Sequence, residues 1–525
     1  FNDAMPQAYT SDYQDLGLLD RDEWPMFTGC FYNRIFLNIA ATRLVAGRAL
    51  AGSADAIEQR YLGGAMAPTP KPPLRERLPQ WKYRLRSAPK LISMFLTLQK
   101  SAEKAERRVM ALEPKVYALD PATLSDERFE RIRVKLAKLG VDVAKVHLRV
   151  TAAAGQGFDT VDRLVRPILG DETDGRLPVL FTGLQGVESA QISLDLWELS
   201  RVAVREGLAD RLRADDFDPW QEANPAWHTA FRAFIDRHGH RGLNEMELAA
   251  RTWRTDPGPA MAVVKSFLDL SEEQSPQATL ERQKAERLEL TRELESKMNP
   301  ARRGVFRWAL KDAQRWVSLR ERTKSVLVRE ARWVDHFTPE LQRRLVERDL
   351  IDQPDDLFFL TTGEVTEVLT GHAADDYRDR VIRRRREYER NRHVMLPERF
   401  RGRPVPLSPD EAGHSGDVLT GTPVSAGAVT GRARVILDPR VDREFAPGEI
   451  LVAPVTDAGW TPLFALASGL VVDMGSALSH GSTVAREYGL PAVVNVRHAT
   501  RLIRTGDLIA VNGTKGTVTI VESAG

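Results

Sequence analysis

Gly475-Ser-Ala-Leu-Ser-His-Gly-Ser-Thr-Val-Ala-Arg-Glu-Tyr-Gly-Leu-Pro-Ala-Val-Val494 decides the reading of the C-terminal part of this chain. Leu470, Val471 and Val472, just before it, form an apolar run that reads as a strand. Gly475 permits a turn, and Ser479 or Ser482 can cap exposed amides. Thr483 to Tyr488 reads as a helix, and Gly489 followed by Pro491 stops it. His480 therefore stands at the start of a short helix, facing unpaired amides and the positive end of the dipole. Those surroundings suit an anion such as a phosphoryl group. An unperturbed imidazole, with a pKa of about 6.5, is mostly neutral and nucleophilic near neutral pH. Position alone fits equally a histidine that caps a helix or packs in a core.

Outward from this stretch, short β-branched runs recur at Ala433 to Leu437, Ile450 to Pro454, Ala492 to Val496, Leu508 to Asn512 and Thr517 to Val521, with glycines and prolines between them. That pattern predicts a compact mixed α/β domain over 420–525. Residues 396–419 are dominated by Pro, Arg, Gly, Ser and Asp and read as a flexible linker. Such a linker spans roughly 80 Å extended and about 27 Å as a relaxed coil.

Three segments carry a family likeness: Gly421-Thr-Pro-Val-Ser-Ala-Gly-Ala-Val-Thr-Gly-Arg-Ala-Arg-Val435, Gly448-Glu-Ile-Leu-Val-Ala453 and the Ser479-His480 run. Together with Gly506-Asp-Leu-Ile-Ala-Val-Asn-Gly-Thr-Lys-Gly-Thr-Val-Thr-Ile520 they resemble the swivelling phosphohistidine domain of phosphoenolpyruvate synthase, pyruvate phosphate dikinase and rifampin phosphotransferase. Where many relatives have paired glycines before the histidine, this chain has Gly475-Ser476, a somewhat stiffer loop. The resemblance makes His480 the phosphorylated residue, with Ser479, Gly481 and Ser482 stabilising the phosphate.

Residues 1–395 read mainly as helices. Phe129, Ile132, Val134, Leu136, Leu139 and Val143 give helical spacing from Ser125, a plausible cap, to about Ala154. Further helices are predicted near Gln191 to Glu206, Pro225 to His238, and Gln277 to about Phe337 with a break at Asn299-Pro300. Ala67-Pro-Thr-Pro-Lys-Pro-Pro73 reads as a loop, and Trp24, Phe27, Phe31, Tyr32 and Phe36 as one or two helix faces, mostly core. The expected fold class is thus multidomain: a helical substrate domain, 1–395, followed by the α/β swivelling domain.

The helical region resembles, more loosely, the substrate domain of rifampin phosphotransferase and a phenylphosphate synthase subunit. The pieces are Phe1-Asn-Asp-Ala-Met-Pro6, Gly239-His-Arg-Gly242 with Glu245, Arg251-Thr-Trp-Arg-Thr-Asp-Pro257, Leu319-Arg-Glu-Arg-Thr-Lys324 and Leu345-Val-Glu-Arg-Asp-Leu-Ile-Asp352 leading to Asp356-Leu-Phe-Phe-Leu-Thr361. Arg320 and Lys324 are four apart and share a helix face, so two cations there can clamp a phosphoryl group; the plain alternative is surface charge on a charge-rich helix. The resemblance places such an Arg/Lys pair beside the acceptor hydroxyl. Arg315 and Arg322 fall on other faces. His240 and Arg241 are candidates for hydrogen bonds to substrate or to a neighbouring carboxylate, and Glu245 is a candidate base for the acceptor hydroxyl. His238, His240, Glu245 and Glu247 match no strong zinc spacing, and no metal site is assigned.

At 525 residues, with 42% hydrophobic and 28% charged residues, the chain suits a soluble protein of two or more domains. A net charge of +2, with acids and bases interleaved as in 281–293, argues against nucleic acid as a main partner. The sole cysteine, Cys30, forms no intrachain disulfide, suggests a reducing, cytoplasmic setting, and reads as a small buried residue. No apolar run is long enough for a membrane span. The chain begins with Phe1, which reads as a trimmed start.

The first 395 residues show no Gly-rich phosphate loop, and the sequence stops just past the histidine domain. Donor chemistry is therefore expected on an ATP-grasp subunit or a missing domain, where ATP and Mg²⁺ would bind. The resemblance implies ATP split to AMP and phosphate, and a hydroxylated aromatic acceptor, phenol-like or rifamycin-like. A non-catalytic regulatory protein that kept the fold is the alternative from another class.

Overall fold

The computed structural model describes residues 4–48, 74–170, 173–184, 186–214, 216–242, 244–374, 376–392, 394, 396–397, 400–407, 418–437, 445–456, 460–475, 479–496 and 498–524. The proline-rich segment 67–73 and half of the 396–419 linker lie outside them. A helical region precedes an α/β region.

The helical region is built on long antiparallel neighbours. Helices α1 (Ala4–Asp15), α2 (Ile39–Arg48), α3 (Leu74–Tyr117) and α4 (Asp126–Leu169) are followed by α5 (Glu188–Arg205), α6 (Pro225–His238), α7 (Gly258–Phe267), α8 (Pro276–Ser296) and α9 (Pro300–Ala331). Then come α10 (Val334–Glu347), α11 (Thr362–Leu369) and α12 (Tyr377–Arg392). Ser125 caps α4 as its position predicts, accepting from the Arg128 amide, but α4 runs on past the expected end near Ala154 to Leu169. Asn299 caps α9 with Pro300 at its first turn, which is why the long 277–337 pattern breaks there. Helices α4 and α9 form the central pair, burying Val150, Ala153, Val161, Ala309, Ala313 and Trp316 between them and their neighbours.

Two sequence readings are corrected here. The aromatics between 24 and 36 do not line a helix: Thr28–Phe31 (β1) and Arg34–Leu37 (β2) form a hairpin. Tyr32 and Asn33 both take positive φ at its tip, the two-residue turn whose twist suits a hairpin, and this overrides any helical spacing. Phe27 is buried, but Trp24 is exposed, and Phe31 and Phe36 meet Phe400 edge-on. Cys30 is exposed on β1 rather than buried: it pairs with the exposed Ile35, on the face of the two-stranded ribbon away from Phe31 and Phe36.

One buried acid marks the α4–α9 contact. Glu330 abuts Gly140, where an added Cβ would come within 2.8 Å of its Oε2. Burial pushes its carboxyl up to about 8. The folded chain thus keeps a proton that the unfolded chain releases near 4.5, so this group's contribution to stability falls as pH rises from 4.5 to 8. Glu330→Gln removes that loss. In urea unfolding its advantage over the native chain should be near zero at pH 4.5 and should grow by up to about 1.4 kcal/mol per pH unit towards pH 8.

In the α/β region the strands β3 (Val418–Thr420), β4 (Thr422–Ser425), β5 (Ala428–Val435), β6 (Ile450–Ala453), β7 (Gly469–Val472), β8 (Ala492–Val494), β9 (Leu508–Asn512) and β10 (Thr517–Glu522) form one sheet. The order is β3-β10-β9-β5-β6-β7-β8-β4. Strands β5 to β8 run parallel, flanked by antiparallel neighbours. Every residue of β6 and β7 is buried, as the centre of a sheet covered on both faces requires. Helices α13 (Thr461–Leu466) and α14 (His480–Glu487) cover one face and α15 (Ala499–Leu502) the other.

The α/β region is docked on the helical one. α13 packs on α7, and α14 packs on α5 and α8. Tyr488 and Ser193 hydroxyls are 2.9 Å apart, and the Gln283 amide donates to the Arg486 carbonyl. Gln283→Ala with Tyr488→Phe removes both bonds. At about 1 kcal/mol each, the docked-to-undocked ratio should fall roughly thirtyfold, read as a larger radius of gyration in solution scattering.

Candidate functional site

Ser479 and His480 open α14, a turn earlier than the sequence reading placed its start. Ser479 is the N-cap: its hydroxyl accepts from the Ser482 amide at 3.4 Å and lies 2.9 Å from the Ser482 hydroxyl. Gly481 is buried, and a Cβ there would collide with the Thr456 side chain, so glycine is needed for the helix start to sit on the loop after β6. Ser482, Val484 and Ala485 are fully buried and anchor the helix on the sheet. Ser479, His480, Gly481 and Ser482 are thus one unit at a helix N-terminus, where backbone amides favour an anion.

A second unit lies in the helical region, on the α9 face that carries Arg320 and Lys324. Lys324 Nζ is 2.9 Å from Glu245 Oε1, and Arg241 Nη1 donates to Glu245 Oε2 at 2.7 Å. Arg320 pairs with Glu321 at 2.9 Å. Burial opposes the Arg241 charge, but Glu245, Glu188 and Glu321 outweigh it and hold its pKa above the ordinary value. His240 Nε2 lies 3.1 Å from Ser325 Oγ, which donates to Glu188 Oε1 at 3.3 Å. Burial, with Arg329 and Arg241 nearby, holds His240 well below its usual pKa, so it is neutral.

His240, Arg241 and Glu245 are all buried, and Arg241 bonds a neighbouring carboxylate, Glu245, one of the two kinds of partner its sequence reading offers. Glu245 has a cation on each oxygen, which suits a counter-ion that fixes Lys324 and not a base. His238 is also enclosed, its Nε2 2.7 Å from Asp195 on α5. Arg320 and Lys324 keep 16% and 19% of their side-chain surface exposed. Arg315 and Arg322 do lie on another face: they pair with Asp312 and Glu106 and border a cavity of about 360 Å³ with Lys311, Gln314 and Leu319.

Sequence reading missed Glu188, Glu321 and His147. His147 on α4 reaches α9 through Thr323, 3.1 Å from its Nδ1. Only Glu321, lying between Arg320 and Lys324, carried a visible signal; Glu188 and His147 come from elements far away in sequence. Helix α5 links the two units: its first residue is Glu188, and Ser193 one turn later holds Tyr488 of the docked α/β region.

Comparison with known proteins agrees with this layout. Residues 147–321 match the family described as rifampicin phosphotransferase fourth domain, and residues 445–516 match PEP-utilising enzyme, mobile domain. The prodigiosin synthesizing transferase PigC of Serratia marcescens is 29% identical over 84% of this chain and 50% of that protein. Rifampicin phosphotransferases of Streptomyces sviceus and Bacillus cereus are 32% and 29% identical, each over 56% of this chain and 34% of the relative. The chain therefore spans about half, or less, of the length of these relatives. Residues 445–516 are thus similar to the mobile domain of PEP-utilising enzymes, and they follow a helical region similar to part of rifampicin phosphotransferase.

Proposed function

We propose that this chain is the acceptor-binding and phosphoryl-carrying part of a dikinase-type phosphotransferase. His480 takes a phosphoryl group that comes from ATP, bound with Mg²⁺ on an ATP-grasp subunit or a further domain. It passes the group to a hydroxyl of a phenol-like or other aromatic small molecule held beside Arg320 and Lys324, with AMP and phosphate as the other overall products. The observation that carries this reading is the docking of the His480 helix on α5, whose first residue, Glu188, belongs to the charge network around Arg241 and Lys324.

Chemically, the carrier leaves little for bond-making side chains to do. Phosphoryl transfer needs in-line placement and charges aimed at the equatorial oxygens. Two cations four residues apart on one helix, held in place by buried carboxylates, meet that need. A rifamycin acceptor is the second reading, favoured by the match of 147–321 to the rifampicin phosphotransferase fourth domain.

The test uses ATP labelled at the β- or γ-position, added to the chain alone and with extract of its source cells. Acid-labile label from the β-position, absent in His480→Ala and dependent on extract, is the expected result. Absence of label in active extract would sink the carrier role.

A further inference from the structure

Resting on that reading, one step still lacks a residue: the acceptor hydroxyl must lose a proton as its oxygen bonds to phosphorus. Glu245 cannot take it readily, with Arg241 on one oxygen and Lys324 on the other. Glu321 is ion-paired to Arg320. The network also matches three cations, Arg241, Arg320 and Lys324, with three carboxylates, Glu188, Glu245 and Glu321.

His147 differs from all of these. It projects from α4 onto the same stretch of α9 and is half-buried. The Thr323 hydroxyl lies 3.1 Å from His147 Nδ1 and donates its one proton to the Arg320 carbonyl, also at 3.1 Å. Donating there, it accepts from the imidazole, the arrangement in which the ring proton sits on Nδ1 and the Nε2 lone pair is available. Thr151 Oγ1, 3.5 Å from Nε2, is at the limit of bonding distance. Loss of water around the ring, then Arg320 and Lys324, hold the imidazole down to about 3, and Glu321 offsets only part. A phosphoryl dianion placed between those two cations would cancel their effect and raise the ring's basicity as transfer begins.

We propose that His147 is a catalytic residue of the acceptor site, its Nε2 accepting the proton of the acceptor hydroxyl while Arg320 and Lys324 hold the phosphoryl group. The hydroxyl oxygen forms the O–P bond, and the N–P bond to His480 breaks with its electron pair returning to the imidazole. The hydroxyl proton passes to His147 and then, through solvent, to the released ring of His480, which needs one proton to be neutral.

The test combines a spectrum with single-turnover transfer. Nitrogen-15 NMR of the full chain at pH 7 should show His147 with Nδ1 protonated and Nε2 bare, and Thr323→Val should let the other tautomer appear. The chain is then charged chemically with phosphoramidate, with His480→Ala as blank, and mixed with phenol or rifampicin as probe acceptor. His147→Gln, checked for native melting, should charge like the native chain and transfer at least tenfold more slowly. A native Nε2–H tautomer, or equal transfer by native chain and His147→Gln, overturns the proposal. If the charged native chain transfers to neither probe, the acceptor reading fails, and the tautomer alone decides the place of His147.

Discussion

Lys324→Ala leaves phosphorylation of His480 intact and slows delivery to the acceptor by roughly 10²–10³-fold, the usual cost of removing one charge-stabilising donor from a transfer site. The expectation follows from position. Lys324 belongs to the helical region, so loading of the carrier elsewhere does not need it. Its ammonium is held 2.9 Å from a buried carboxylate, so it is aimed before the phosphoryl group arrives. Lys324→Arg should recover little, since a planar fork cannot take the place of a point charge in a slot shaped by Glu245. Label chase from charged His480 separates the two steps. Equal failure of loading and delivery would refute the clamp role.

The second large effect is on stability. Arg241 and Glu245 both have fully buried side chains. Arg241→Met takes from Glu245 the cation on its Oε2 and strands part of its charge away from water, at a cost of roughly 3 kcal/mol or more in urea unfolding. Arg241→Met with Glu245→Leu should recover much of that loss, because removing both charges ends the desolvation penalty. The cost of the pair would then be well below the sum of the single changes. That recovery would also free Lys324, so transfer should stay impaired in the double variant even where folding is restored. A double variant as unstable as Arg241→Met would show that the site is held by something other than this ion pair.

Legibility tracked the range of the interactions involved. The α/β region was readable because its strands are buried on both faces and so appear as unbroken β-branched runs, as at Ile450–Ala453, with glycines between them. Pro225–His238 was readable because Asn224 and Pro225 fix its start locally. The hairpin at 28–37 was not, since its turn uses Tyr32 and Asn33 where glycine is the expected signal. In the candidate site, the Arg320/Lys324 pairing follows from helical spacing alone. The partners do not: Glu245, Glu188 and His147 reach α9 from three separate segments, and only packing brings them there.

The N-terminal hairpin has a mechanical consequence. Phe400 is wedged edge-on against Phe31 and Phe36, Arg34 donates to the Val394 carbonyl at 2.5 Å, and Asn391 reaches Asn33. The hairpin acts as a bollard around which the outgoing chain is hitched. Phe400 is thus held on the hairpin and Val418 on the sheet, so the chain between them can reach at most roughly 60 Å, in place of roughly 80 Å counted from 396. On the proposed function, a donor that loads His480 must come within that shorter arc, and the hairpin sets its centre.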